Sequence, residues 1–454
     1  MSASLSLWFD QALLPSGWAR QVRIKIADGR ISSVDIEVAP EPADERHAIG
    51  IPGMGNVHSH AFQRAMAGLT EWRGDDRDDN FWSWRERMYQ FLDRIGPEEQ
   101  AAIAGLAYME MLEAGFTRVG EFHYVHNDPS GRAYDDPGEI AAQIASAAQT
   151  TGIGLTLLPV FYAHADFGGK PPRPGQKRFI TSVSAFAALW DRCTDLARFD
   201  DANIGVAPHS LRAVTAEDLS EIVALAKTGP IHIHAAEQVK EVEASLAFSG
   251  QRPVEWLLNH QDIDARWCLI HATHMTGDEV SRLAASGAVA GLCPLTEANL
   301  GDGLFPARDY LGAGGAFGIG SDSMIAISLR EELRLLEYGQ RLSGRARNVL
   351  ALGEGRSTGA FLFDRALSGG ARALGVDGGL AIGAAADIVS LRGDHVNLAG
   401  RTGDDIIDAY IFASGGDAID CVWRFGRRWV TDGRHIARDE IVKRYRASFE
   451  RLTA

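Results

Sequence analysis

Long apolar runs are missing from this 454-residue sequence: nothing approaches the ~18 uninterrupted apolar residues of a membrane span, so no membrane partner is expected. Cysteine is scarce. Cys193, Cys268, Cys293 and Cys421 form no C-x-x-C pair, and Cys268 and Cys293 lie inside apolar runs. All four read as reduced structural thiols of a cytoplasmic protein. Net positive charge is lacking too. At −15 the chain argues against a nucleic-acid partner, and an anionic substrate would need a locally basic pocket. The opening stretch, MSASLSLWFDQALLP, has no basic n-region and carries Asp10, so it does not read as a signal peptide.

What is present is an ordinary globular composition, 46% hydrophobic and 23% charged, in a chain too long for one compact core. Residues 1–50 read as the first part of a small sheet. Val22–Ile26 and Ile31–Ile36 alternate on either side of Asp28-Gly29, a strong hairpin signal. From Ile51 the style changes to short apolar runs: Ile51–His58, Thr117–Val125, Gly152–Tyr162, Asn203–Leu211, Pro230–Ala235, Trp267–Ala272, Ala288–Pro294 and Ala316–Ser321. Helical periodicity fills the gaps, most clearly at Glu98–Ala114, Pro137–Thr150, Ala216–Thr228 and Thr276–Ser286. Eight strand-then-helix units predict an α/β fold, a (β/α)₈ TIM barrel, over residues 51–375. A doubly wound sheet also alternates, but here the polar residues of interest gather at the ends of many runs, as barrels require. Residues 376–454 read as sheet again and pair with residues 1–50 in a small β-sandwich.

The chemistry-bearing residues close those runs. His58 and His60 end the first run; two apart on a strand, they share a face. About 7 Å of strand separates them, close enough for one ion. His232 and His234 share a face on the fifth run, and His234 with Glu237 forms H-x-x-E. His232 fits better as a hydrogen-bonded histidine lower in the barrel. His271 ends the sixth run and Asp322 the eighth. Alone, His271 could be a core histidine and Asp322 a helix cap; the ordered set on runs one, five, six and eight is not a chance pattern.

That set resembles the amidohydrolase superfamily, in its one-metal deaminase branch. The fourth run, Ile204-Gly205-Val206-Ala207-Pro208-His209-Ser210, has no lysine to bridge a second ion. Gly55–Gly68, Phe81–Tyr89, Glu121–His126 and Ala207–Arg212 are similar to the N-formimidoyl-L-glutamate deiminase family within it. The resemblance implies one divalent ion, zinc by the imidazole-rich donors, on His58, His60, His234 and Asp322. It implies catalysis by Glu237, His271 and Asp322, and a pocket in which Gln63, Arg85, Tyr124, His209 and Arg212 hold the glutamate portion. Arginine suits a substrate with two carboxylates, because it grips them bidentately. Arg212 follows the fourth run directly. Arg85 and Arg87 lie in an aromatic-rich insertion, where Arg87 reads as solvated surface.

The implied reaction is hydrolysis of N-formimidoyl-L-glutamate to N-formyl-L-glutamate and ammonia in histidine degradation, by a homodimer. Three alternatives stay open on sequence alone: a deaminase of a cyclic substrate such as guanine or an adenosine derivative, a chlorohydrolase, and a non-catalytic barrel scaffold. The last would be marked by a missing ligand, and none is missing.

Overall fold

The computed structural model describes residues 5–73 and 79–454; the first four residues of the N-terminal stretch and 74–78 of the insertion lie outside the described residues. Eight parallel strands form the barrel: Met54–Ser59, Phe116–His123, Gly154–Phe161, the split pair Asn203–Ile204 and Ala207–Pro208, Ile231–Ala235, Trp267–His271, Val289–Leu292 and Ala316–Ile319. The first strand pairs with the second and the eighth, and a bridge between Val206 and Ile231 joins the fourth to the fifth, closing the ring. Helices cover the outer face, so these strands are buried on both sides; Phe116–His123 and Gly154–Phe161 are buried along their whole length. That is why they read as continuous apolar runs rather than alternating ones. Between them run the predicted helices, at Pro97–Glu113, Glu139–Thr151, Ala216–Leu225 and Gly277–Ser286. Their starts are local chemistry: Thr215 and Thr276 each accept a backbone N–H at the first turn, and Pro97 opens its helix.

The two ends of the chain form a second, mixed sheet of eight strands, four from residues 5–52 and four from residues 388–435. The Asp28-Gly29 turn forms as predicted, with both residues at positive φ (50° and 78°). A Cβ at Gly29 would lie 2.4 Å from the Phe425 ring, so the turn also needs glycine for close approach. The sheet is continuous and rolls on itself. Its edge strand, Arg30–Asp35, bonds back through Ile31 to the carbonyl of Ala384, enclosing Leu7, Phe9, Ile24, Ile388 and Trp423.

Residues 376–454 differ from the expectation of sheet alone. Asp404–Phe412 and Arg438–Thr453 are helices that pack on the barrel, the first against Thr358–Ala373 and the second against Pro97–Glu113. Their buried residues recur at helical spacing (Ile406, Ile407, Tyr410; Ile441, Ser448, Leu452), and the barrel's outer helices supply the face that covers them. No helix among the described residues is long and apolar enough to cross a membrane.

Candidate active site

The ends of barrel strands one, five, six and eight bring the predicted residues together. The Nε2 atoms of His58 and His234 stand 3.1 Å apart, and Asp322 Oδ1 lies 3.5 Å from His58 Nε2 and 3.4 Å from His60 Nε2. Donors each about 2.0–2.1 Å from one tetrahedral ion would sit about 3.3 Å apart, so these four fit a single small cation. The tautomers agree. His60 Nδ1 donates to the Phe122 carbonyl and His234 Nδ1 to the His209 carbonyl, each at 3.0 Å, which leaves both Nε2 lone pairs facing the centre. Burial pushes all three imidazoles toward the neutral form that a cation needs, His60 down to about 3, and the neighbouring histidines add to this at His58 and His234.

Local folding holds the cluster in register. Asn56 Oδ1 accepts the N–H of both His58 and Ser321, and the N–H of His60 donates to the Asp322 carbonyl. Gly320 permits this closeness: a Cβ there would meet the His58 Cβ at 2.8 Å. Beneath His60, the buried Glu121 accepts the Ser59 hydroxyl and the Ala61 N–H. Ala236, His271, Ala272 and Asp322 all hold positive φ (42–68°), a strained backbone at the ends of strands five, six and eight.

His271 sits among carboxylates. Its Nε2 is 3.6 Å from both Glu237 Oε1 and Asp322 Oδ2, and its Nδ1 is 3.2 Å from Glu297 Oε1. Burial works against its charge, but Glu237, Glu297 and Asp322 outweigh it and raise the group to about 10. Burial moves Asp322 the other way, up to about 7, with His271 opposing. His232 is placed as expected, low in the barrel, with Nε2 bonded to the Ala373 carbonyl at 2.7 Å.

The proposed substrate residues line the cavity above this cluster. Gln63, Arg85, Tyr124, His209, Arg212 and Glu237 face it with His60, His234 and Asp322. Gln63 Nε2 donates to the Tyr124 hydroxyl at 2.9 Å, and His209 Nδ1 is 3.1 Å from Ser210 Oγ. The Nε atoms of Arg85 and Arg212 are buried without a hydrogen-bond partner. Burial alone would lower Arg212, yet Glu241 and Glu237 hold it firmly charged. Arg87 turns away and bonds the Thr70 carbonyl.

Sequence reasoning missed four supporting groups. Glu297 orients His271. Glu241 accepts the N–H groups of Ala236 and Glu237, fixing the strand end that carries Glu237. Asp302, raised to about 9 by burial and by Glu237, is bonded by Gln238. Trp82 lies against both arginines. Of these, Glu241 alone left a trace, four residues after Glu237 and so one helical turn on. A larger cavity of about 740 Å³, beside helix Thr358–Ala373, is lined by Leu13, Phe361, Leu380 and exposed charges. It contains no histidine, whereas the smaller cavity of about 50 Å³ is where the shifted groups converge, so the chemistry belongs there.

The amidohydrolase family model matches residues 49–429, and a model described as the N-terminal domain of the formimidoylglutamate deiminase HutF matches residues 8–48. The formimidoylglutamate deiminase of Pseudomonas aeruginosa is 48% identical over 443 residues, 97% of this chain and 98% of that protein. The 8-oxoguanine deaminase of the same organism is 27% identical, over 94% of each chain. Among solved structures, an amidohydrolase from Brucella melitensis superposes with a TM-score of 0.96 and 53% identity, over 99% of this chain and 100% of that one.

Proposed function

This chain belongs to the amidohydrolase family, and from that premise we propose that it hydrolyses N-formimidoyl-L-glutamate to N-formyl-L-glutamate and ammonia. The observation that carries the reading is the pairing of an imidazole–carboxylate cluster with two arginines, Arg212 buried and Arg85 half-buried, over one cavity. A substrate with two carboxylates matches two guanidinium groups; a nucleobase offers neither charge.

His58, His60, His234 and Asp322 would hold one divalent ion, zinc by the character of the donors. A divalent ion there would supply Lewis acidity toward the C=N group and would lower the pKa of a water from 15.7 to about 7. The protein's own groups then handle the protons. Arg85 and Arg212 fix the two carboxylates, with Gln63, Tyr124 and His209 along the backbone of the substrate. Asp322 takes a proton from the attacking water. His271 orients that water from between Asp322 and Glu237. Glu237 delivers one proton to the formimidoyl nitrogen; as the tetrahedral carbon collapses, the proton held by Asp322 completes NH3, the hydroxyl proton returns to Glu237, and the C–N bond breaks with loss of ammonia. The substrate's second nitrogen stays on the product as an N-formyl amide.

The reading includes a place in histidine degradation, a cytoplasmic location and a homodimer. A coupled ammonia assay tests it. Release from N-formimidoyl-L-glutamate, with little from guanine, adenosine analogues or formamidine, is the expected result. Robust release from a nucleobase and none from N-formimidoyl-L-glutamate would overturn the substrate while leaving the family intact.

A further inference from the structure

Arg85 and Arg212 reach the cavity from different elements. Arg85 lies on helix Phe81–Leu92, and Arg212 lies just beyond the fourth barrel strand. Like charges in one cavity repel, and neither Nε has a hydrogen bond to hold it. What the two share is one indole. The Arg85 guanidinium carbon is 4.5 Å from the Trp82 ring centroid and the Arg212 carbon is 5.5 Å from it. Both distances lie inside the range in which the electron-rich ring face attracts a cation.

The indole is itself held in place. Trp82 and Arg85 are three residues apart on one helix, so they share a face. Asn80 Oδ1 accepts the backbone N–H of Trp82 at 2.9 Å and so fixes the helix start that carries it, and the Phe81 ring packs edge-on against the indole at 5.1 Å. Tyr89 adds a second ring 5.7 Å from the Arg85 guanidinium. The aromatic insertion therefore does more than line the cavity; it puts one ring within reach of both guanidinium groups.

We propose that Trp82 is a positioning residue that sets the spacing of Arg85 and Arg212, and through them selects a five-carbon dicarboxylate scaffold over a shorter one. The inference rests on the reading that these two arginines receive the substrate's carboxylates. Without the indole, the two guanidinium groups keep their charge but lose their fixed separation. Affinity for a dicarboxylate falls, and discrimination by length falls with it.

Calorimetry with glutarate and succinate on the metal-loaded parent, W82L and W82F proteins tests this without any turnover. The parent should bind glutarate more tightly than succinate. W82L should lose about tenfold in glutarate affinity and bring the two ligands within about twofold of each other, while W82F, which keeps a ring face, stays within about threefold of the parent. Steady-state kinetics on N-formimidoyl-L-glutamate should show the W82L loss in KM, with kcat and the activity on formamidine unchanged. Parent-like glutarate selectivity in W82L would overturn the proposal. So would a W82F protein as impaired as W82L, or an equal loss on formamidine. The substrate reading fails separately, in the ammonia assay, because glutarate binding does not depend on it.

Discussion

The proposed cation cluster and the proposed arginine grip line the same cavity but are built in opposite ways. His58, His60, His234 and Asp322 lie at the ends of barrel strands and hydrogen bonds hold them there: the backbone carbonyls of Phe122 and His209 on the His60 and His234 imidazoles, and the Asn56 side-chain amide oxygen on the N–H groups of His58 and Ser321. Arg85 and Arg212 come from a helix in an insertion and from a loop, and their shared neighbour is an aromatic ring. A cation site tolerates little error in donor position, so it needs hydrogen-bonded strand ends. A carboxylate grip must admit and release a flexible ligand, and ring faces hold guanidinium groups while leaving their N–H donors free. Chemistry and selectivity are thus mechanically separable here, and substitutions should divide along that line.

The largest effect should follow from breaking the strand-end cluster. His58→Ala or His234→Ala should strip most of the bound metal, read by elemental analysis, and lower turnover well beyond the roughly 100-fold that loss of an outer-shell partner can cost. Full metal occupancy in both variants would refute the ligand assignment. Next comes Glu237→Gln, which should keep metal and fold but lose ~10²-fold or more in kcat. Near-normal turnover there would mean another group moves the proton. On the other side of the comparison, Arg85→Ala or Arg212→Ala should lower kcat/KM for N-formimidoyl-L-glutamate by roughly 10- to 150-fold with metal content unchanged. The smallest change should come from Glu297→Gln. It keeps the shape but weakens the bond to His271, and about a tenfold loss in kcat is expected, as for other partners that orient a working imidazole. An unchanged pH–rate profile and kcat would show that His271 is oriented without it.

Legibility in the sequence follows the same division. The barrel was readable because its strands are short and apolar and several close on polar residues, and the cluster because H-x-H at His58–His60 and H-x-x-E at His234–Glu237 place side chains by local geometry alone. The helices at Asp404–Phe412 and Arg438–Thr453 were missed because their buried faces exist only where the barrel's outer helices cover them. Glu297 and Trp82 were missed for a related reason. Their partners, His271 and Arg212, are 26 and 130 residues away in the chain, and no spacing rule connects them. Arg85 and Arg212 entered through family resemblance, since an arginine away from the strand ends reads as solvated surface until its place over the cavity is seen.

The most direct test of the separation is the ratio of kcat/KM for N-formimidoyl-L-glutamate to that for formamidine, measured in the parent and in Arg212→Ala with metal content matched. Formamidine carries the reacting C=N group and no carboxylate. The account predicts that the ratio collapses by roughly 10- to 150-fold in the variant, entirely through N-formimidoyl-L-glutamate, with formamidine turnover little changed. An equal loss on both substrates would contradict it, because it would place Arg212 in the chemistry rather than in the grip.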